Sequence, residues 1–458
     1  MSISLDYTNM FLPGSVTDAE WAEITRRFPD AHAAVADKRA RGELGFFDLP
    51  DDKALLAQTT AYAGRARGRY TDVLLLGIGG SALGPIALRT ALRPPAWNTL
   101  SDAERDGYPR LHVLDNVDPD TIAATLARLD LARTVVLVVS KSGGTAETMA
   151  QYLLVRAALD AALGDQAKEH LVFVTDPEKG SLRPIARREG LAALDIPPNV
   201  GGRFSVLTPV GLLPAALLGI DVAGLLAGAA DMRRRCDTPA LAGNPGGVYA
   251  ALQYLAASAH GKPIQVFMPY ADPLRDFAAW FVQLWDESLG KMRPDGTHVG
   301  PTAVPALGTT DQHAQVQDFM EGPADKTVTF VAVEGRTDRG RIPDLYKDVP
   351  DLAYLGGHTL GELLDVERRA TAGALATRGR PNMTVTLDAV DPWHIGGLMM
   401  LLEIATAYSG EFYGIDAFNQ PGVELGKHFT YGMIGRPGFE QARAEFERLP
   451  KSDPTRRV

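Results

Sequence analysis

The stretch VLLLGIGGS at 73–81 decides the fold class. Four apolar residues run straight into Gly77, Gly79, Gly80 and Ser81, which reads as a strand that stops abruptly and turns into a helix. A strand with no polar alternation is buried on both faces, the condition of a parallel sheet covered by helices above and below. The runs LHVLD at 111–115, TVVLVVSKSGG at 134–144 and HLVFVTD at 170–176 repeat the pattern. Ala- and Leu-rich stretches of helical character separate them, so βαβ units are expected between Asp72 and Pro177.

A second series follows: PIQVFMPY at 263–270, TVTFVAV at 327–333 and MTVTLDAV at 383–390. The expected class is therefore α/β, with two doubly wound parallel-sheet domains and helical additions at both ends. At 458 residues the chain exceeds what one core usually organises. The boundaries that follow are a helical segment at 1–70, a first sheet domain at 71–190, a helical connection at 191–245, a second sheet domain at 246–410 and a terminal segment at 411–458. Leu212 to Leu226 is rich in Leu and Ala, but Pro214, Gly219, Asp221 and Gly224 interrupt it, which predicts a core helix with a turn. The segment Trp393 to Tyr408 reads as an apolar helix and the charged tail 436–458 as solvated.

Hydrophobic residues make up 45% of the chain and charged ones 22%, a folded, globular composition. A formal charge of −10 argues against a nucleic-acid surface, so an anionic substrate must meet a local positive site. The single Cys236 excludes an internal disulfide and suits a reducing compartment, with cytoplasm the expected location. The start MSISLDYTNMFLPG lacks the basic and apolar regions of a secretory signal, and no apolar run is long enough for a bilayer, so no membrane association is expected. The nine histidines form no paired ligand motif such as HExxH, so no metal and no cofactor are expected.

The turn GIGGSALG exposes amide donors to an anion where a strand meets a helix. On its own it admits three readings: a phosphate site, a dinucleotide fold with Asp115 closing the next strand, or glycines that merely permit close helix packing. A second loop, SKSGGTAET at 140–148, brings Ser140, Ser142 and Thr145 beside further amides, which suits a phosphate monoester, although an ordinary turn and N-cap would look the same. Elsewhere, Gln283 and Glu287 stand four residues apart and would share one helix face.

The two loops resemble the sugar isomerase (SIS) module, whose flavodoxin-like sheet holds a phosphosugar at the carboxyl ends of its strands. NVGGRFSVLTPVG at 199–211 and GEFYGIDAFNQPGVELGK at 410–427 closely resemble the two hallmark motifs of the phosphoglucose isomerase family. QLWDESLGK at 283–291 and GTTDQHAQVQDF at 308–319 resemble its acid/base and ring-opening segments, in the same order. The resemblance spans about residues 70 to 430 and is to the short bacterial form.

What the resemblance implies is specific. The activity would be aldose–ketose isomerisation of glucose 6-phosphate and fructose 6-phosphate. Glu287 matches the catalytic glutamate, a carboxylate able to take a proton from C2 and return it to C1. His313 matches the ring-opening histidine, which in that family enters from the neighbouring subunit and so implies a homodimer. Lys427 matches the lysine that assists ring opening, Gln420 a polar contact, and Arg203 the guanidinium beside developing negative charge. Gly80, Ser81, Ser140, Lys141, Ser142 and Thr145 fall to the phosphate end, with Gly202 beside Arg203 and Gln283 orienting a hydroxyl. Lys141 is open between a phosphate charge and a solvent-facing lysine, and Glu147 is expected near the same network.

Ser142, Gly143 and Gly144 stand where many relatives carry threonine and bulkier residues, so phosphate affinity is expected to differ. The region before Asp72 is shorter than in animal and enterobacterial relatives, which bears on any exchange of arms between subunits. Two other classes remain as alternatives: a sensor of sugar phosphates, which needs the hydroxyl loops but neither Glu287 nor Lys427, and a nicotinamide dehydrogenase, which needs a bound dinucleotide.

Overall fold

The computed structural model describes residues 2–335 and 340–457. The chain begins with a short strand, β1 (Ile3–Asp6), and then builds the first sheet from β2 (Asp72–Leu76), β3 (Arg110–Leu114), β4 (Thr134–Val139), β5 (Leu171–Thr175) and β6 (Ala192–Asp195). All neighbours pair in parallel, in the order β3-β2-β4-β5-β6. This is the flavodoxin-like order, and its reversal lies between β2 and β4. The loops after those two strands are GIGGS and SKSGG, the pair singled out in the sequence. In an open parallel sheet a ligand binds at this reversal, outside the carboxyl ends of the strands.

The second sheet contains β7 (Ile264–Pro269), β10 (Thr302–Pro305), β11 (Lys326–Val333) and β12 (Asn382–Leu387). Between β7 and β10 lies a two-stranded hairpin of β8 (Lys291–Met292) and β9 (His298–Val299). The order is β1-β12-β11-β7-β10, parallel except for β1, which runs antiparallel to β12 from Ile3 opposite Leu387. The segment 1–70, expected to be helical, thus opens with a strand of the second sheet. Its helices Asp18–Ala40 and Lys53–Ala66 follow. Likewise β6 falls in the stretch 191–245 read as a helical connection, so the first sheet extends past residue 190. Leu212 to Leu226 does turn, dividing the helices Pro209–Leu217 and Val222–Arg235.

Period-two alternation explains how the sheets are joined. Val73 and Leu75 of β2, Val135, Leu137 and Val139 of β4, and Val172 and Val174 of β5 point to one core, which also contains Phe267, Val331, Val385 and Leu387 of the second sheet. The intervening residues Leu74, Leu76, Val136, Val138 and Phe173 face a separate outer cluster. Val266, Met268, Val328 and Phe330 do the same behind the second sheet. The two sheets therefore share one interior. The helix Pro392–Tyr413 runs through it, buried nearly throughout and apolar over most of its surface, as expected of a helix with no face toward water. Among the described residues no helix is long and apolar enough to cross a membrane.

Candidate active site

The helix Arg275–Leu289 carries the acid/base segment. Phe277, Trp280, Phe281, Leu284 and Trp285 recur at helical spacing and are all buried, which fixes the rotation of the helix about its axis. That rotation turns Gln283 and Glu287 together into a cavity of about 560 Å³. Gln283 Nε2 donates to Glu287 Oε2 at 3.1 Å. The other amide atom of Gln283, Oε1, is buried and has no hydrogen-bond partner. A buried amide oxygen without a partner carries a cost that the packing around the site must offset.

Arg203 reaches the same carboxylate from the turn Gly202–Phe204, with its Nη1 3.9 Å from Glu287 Oε2. The guanidinium is buried and fixed by several bonds. Nε donates to Ser288 Oγ at 2.6 Å, Nη1 to Gln420 Oε1 at 3.0 Å, and Nη2 to the carbonyl oxygens of Asn419, at 3.1 Å, and Ala417. Burial lowers the Arg203 pKa, while the carboxylates of Glu287 and Asp416 act in the opposite direction. One side chain thus ties three distant segments around the Glu287 carboxylate and holds its charge in a site largely screened from water.

The phosphate-type loops form the other wall. Ser142 Oγ lies 3.2 Å from Thr145 Oγ1, and Ser140 Oγ lies 3.1 Å from the same atom. Thr145 is the N-cap of the helix Ala146–Leu163, yet its hydroxyl makes no capping bond, so the N-cap alternative does not describe it. The helix end with its hydroxyls is arranged as an anion site. Ser140 is buried and does not line the cavity. It stands behind the loop, where its Oγ accepts from the Gly143 amide at 3.1 Å.

Lys141 lines the cavity, and its ammonium is engaged by the protein's own backbone. Its Nζ donates to the carbonyl oxygens of Pro198 and Val200, both at 2.8 Å, fastening the loop to the approach to Arg203. Burial depresses its pKa, with Asp176 opposing. Glu147 does not line the cavity.

Gly80, Ser81, Lys141, Ser142 and Thr145 line the cavity from the first sheet, and Gly202, Arg203, Gln283, Glu287, Gln420 and Lys427 from the connection, the second sheet and the terminal segment. Lys427, in the helix Glu424–Ile434, pairs with Glu424 at 2.8 Å. His313 is exposed and outside this lining, in the short turn Thr310–His313. Beyond Glu287 the cavity continues into a second lobe of about 820 Å³ that shares Gln283, Glu287 and Gln420 and is closed by Lys291 and the β8–β9 hairpin.

Two features of the site were not read from the sequence. The turn after β5 brings Asp176 and Lys179 to the cavity. It is clamped by Asp176 Oδ1, which accepts the amides of Glu178 and Lys179 at 2.9 Å, and it meets the hydroxyl loop where the Ser181 amide donates to Gly143 O at 3.3 Å. Lys179 adds positive charge beside the loop. The second feature is Lys291. The signal was available only as turn chemistry in TDPEKG and as a lysine two residues past a helix end.

Known proteins are similar to this chain in sequence and fold. A phosphoglucose isomerase model matches residues 55–448. The chain is 45% identical over 459 residues to the glucose-6-phosphate isomerase of Carboxydothermus hydrogenoformans, with 98% of each chain covered. It is 46% identical over 440 residues to that of Rubrobacter xylanophilus, with 95% of this chain and 99% of the relative covered. The crystal structure of a hypothetical protein from Thermus thermophilus superposes with a TM-score of 0.84 at 41% identity, over 95% of this chain and all of that one. With a matched segment running from the helix before β2 to the solvated tail, and with the hallmark segments meeting in one cavity, the chain belongs to the phosphoglucose isomerase family.

Proposed function

We propose that this chain reversibly interconverts D-glucose 6-phosphate and D-fructose 6-phosphate, a step of glycolysis and gluconeogenesis, by opening the sugar ring and passing a proton between C2 and C1 through a cis-enediolate. The observation that carries this reading is that one cavity holds a hydroxyl-bearing helix end on one side and the Glu287 carboxylate beside a buried guanidinium on the other.

The phosphate sits at Ser81, Ser142 and Thr145, with Lys179 nearby for charge. Glu287 removes the C2 proton and returns it to C1, a task for a carboxylate that reaches both carbons without relocating. Negative charge then develops on the enediolate oxygens, next to Arg203, whose position is set before the reaction begins. Gln283, in the cavity wall beside Glu287, orients a substrate hydroxyl. Lys427 and a histidine attend the ring oxygen and O1 during opening.

That histidine is His313 of a second copy of the chain. It is exposed and lies outside the lining of its own cavity, so a homodimer supplies it across the interface. The exposed apolar residues Leu425, Met433 and Ile434 of the terminal helix give such a contact apolar area to cover. The enzyme is placed in the cytoplasm, where its sole cysteine, buried at Cys236, faces no oxidising environment.

The test is a coupled assay with fructose 6-phosphate and glucose-6-phosphate dehydrogenase, followed by equilibration of the two sugars over many turnovers in heavy water without the dehydrogenase. Sustained NADPH production with deuterium at C2 of the glucose 6-phosphate is expected. No turnover would leave a sensor, and turnover without any deuterium in either sugar would replace proton transfer by hydride migration.

A further inference from the structure

Glu287 stands in the last turn of its helix, where the final carbonyls have no partner within the helix. Asp286 O is taken by the Gly290 amide at 3.0 Å. The next two, Glu287 O and Ser288 O, accept from a single ammonium group, Lys291 Nζ, at 2.6 and 2.8 Å. Lys291 therefore folds back over the helix end, where positive charge also complements the helix dipole. The hairpin that carries it is held against the same turn. At Gly300, with φ of +120°, an added Cβ would lie 2.6 Å from the carbonyl carbon of Leu289 and 2.7 Å from Cα of Gly290.

This cation is kept at a cost. Burial and the nearby Arg203 press the Lys291 pKa from 10.5 down to about 8, with Asp416 and Glu287 opposing. Asp286 on the helix and His298 across the hairpin line the same lobe. Ser288, whose carbonyl Lys291 holds, also receives Arg203 Nε on its hydroxyl at 2.6 Å. A single turn of helix thus anchors both the base and the guanidinium, and Lys291 ties off its end.

On the isomerase reading above, we propose that Lys291 is a positioning residue for the reaction: by holding the carbonyls of Glu287 and Ser288 it fixes the direction from which the Glu287 carboxylate meets C1 and C2. Misplacement of a reacting group by about 1 Å can cost about 10²-fold in rate. Loss of the ammonium lowers kcat and leaves the phosphate loops, and with them ground-state binding, intact.

The experiment compares Lys291→Met and Lys291→Arg with the unaltered enzyme in the coupled assay, with circular dichroism and thermal melting as checks on folding. Lys291→Met is expected to lose about 10-fold to 10²-fold in kcat, with KM for fructose 6-phosphate changed by less than about twofold. Lys291→Arg, which keeps donors and charge, restores kcat to within about threefold. A folded Lys291→Met at full kcat overturns the proposal, as does equal loss in both variants or a rise in KM alone. If Lys291→Met does not fold, the comparison passes to Lys291→Ala, which likewise has no side-chain donor, and full kcat there overturns it equally. Absence of turnover in the unaltered enzyme sinks the isomerase reading itself, whereas normal turnover beside an equally active variant sinks only the positioning role.

Discussion

Gly80 and Gly202 meet backbone against backbone: a Cβ built on Gly80 would overlap the carbonyl oxygen of Gly202 and stand 2.9 Å from the Arg203 amide nitrogen. These residues belong to loops more than a hundred positions apart in sequence, and their contact brings the Arg203 turn beside Ser81. No flexible side chain is present to give way. Gly80→Ala is therefore expected to push the loops apart and to lower kcat/KM by about 10²-fold, since catalysis depends on placement to within about 1 Å. Steady-state kinetics and a melting curve check this, and unchanged kcat/KM in the variant would show that the two loops need not touch.

Replacing the proposed base while keeping its shape separates chemistry from binding. Glu287→Gln retains a group able to hydrogen-bond Gln283 but cannot take a proton. Turnover is expected to fall by about 10²-fold to 10⁴-fold, the usual contribution of a general base. Substrate binding, followed by calorimetry with fructose 6-phosphate, should persist, because the hydroxyl loops are untouched. Near-normal turnover would remove Glu287 from the role.

The strands that built this expectation were legible because they are buried on both faces. The side chains of β2 and β4 have no watery side, so their sequences carry no polar alternation to confuse them with surface strands. Among the edge strands, β1, β6 and β10 lacked that signal. β6 and β10 are partly exposed, and β10 ends in a proline. β1 is four residues long and finds its partner at Thr384 to Leu387, nearly the whole chain away. In the site, Arg203, Glu287 and Lys427 stood in long motifs whose order could be recognised. Lys179 stood in none of them, and Lys291, although it closes QLWDESLGK at 283–291, drew no role, because a lysine's place in the sequence says nothing about what its ammonium will meet until the fold brings a carbonyl or a cavity to it.

The position of His313 makes the oligomer testable through activity. If each cavity takes its base from one copy and its histidine from the other, His313→Ala and Glu287→Gln homodimers are both impaired. Mixing the two after reversible dissociation should create hybrid dimers with one complete site, one built from an intact Glu287 and an intact His313. Activity is then expected to recover to about a quarter of the unaltered level in a statistical mixture, since half the dimers are hybrids with one of two sites complete. A mixture that stays at the level of its parents would place the histidine and the glutamate of each working site on the same chain.

Glu403 supplies the pH prediction. It lies in the interior of the helix Pro392–Tyr413, fully buried, and neither carboxylate oxygen has a hydrogen-bond partner. Burial alone drives its pKa well above 4.5. In the pH range from 4.5 up to that raised value the folded protein keeps the proton and the unfolded chain releases it. The unfolded state then binds fewer protons, so this residue makes stability fall as pH rises through the range. Glu403→Gln cannot ionise and is expected to remove that slope. The variant should gain on the unaltered protein as pH rises above about 4.5, by up to about 1.4 kcal/mol per pH unit while the folded protein alone keeps the proton. Denaturant unfolding at several pH values reads the difference directly. A gap between the two proteins that stayed constant with pH would mean that Glu403 ionises alike in the folded and unfolded states.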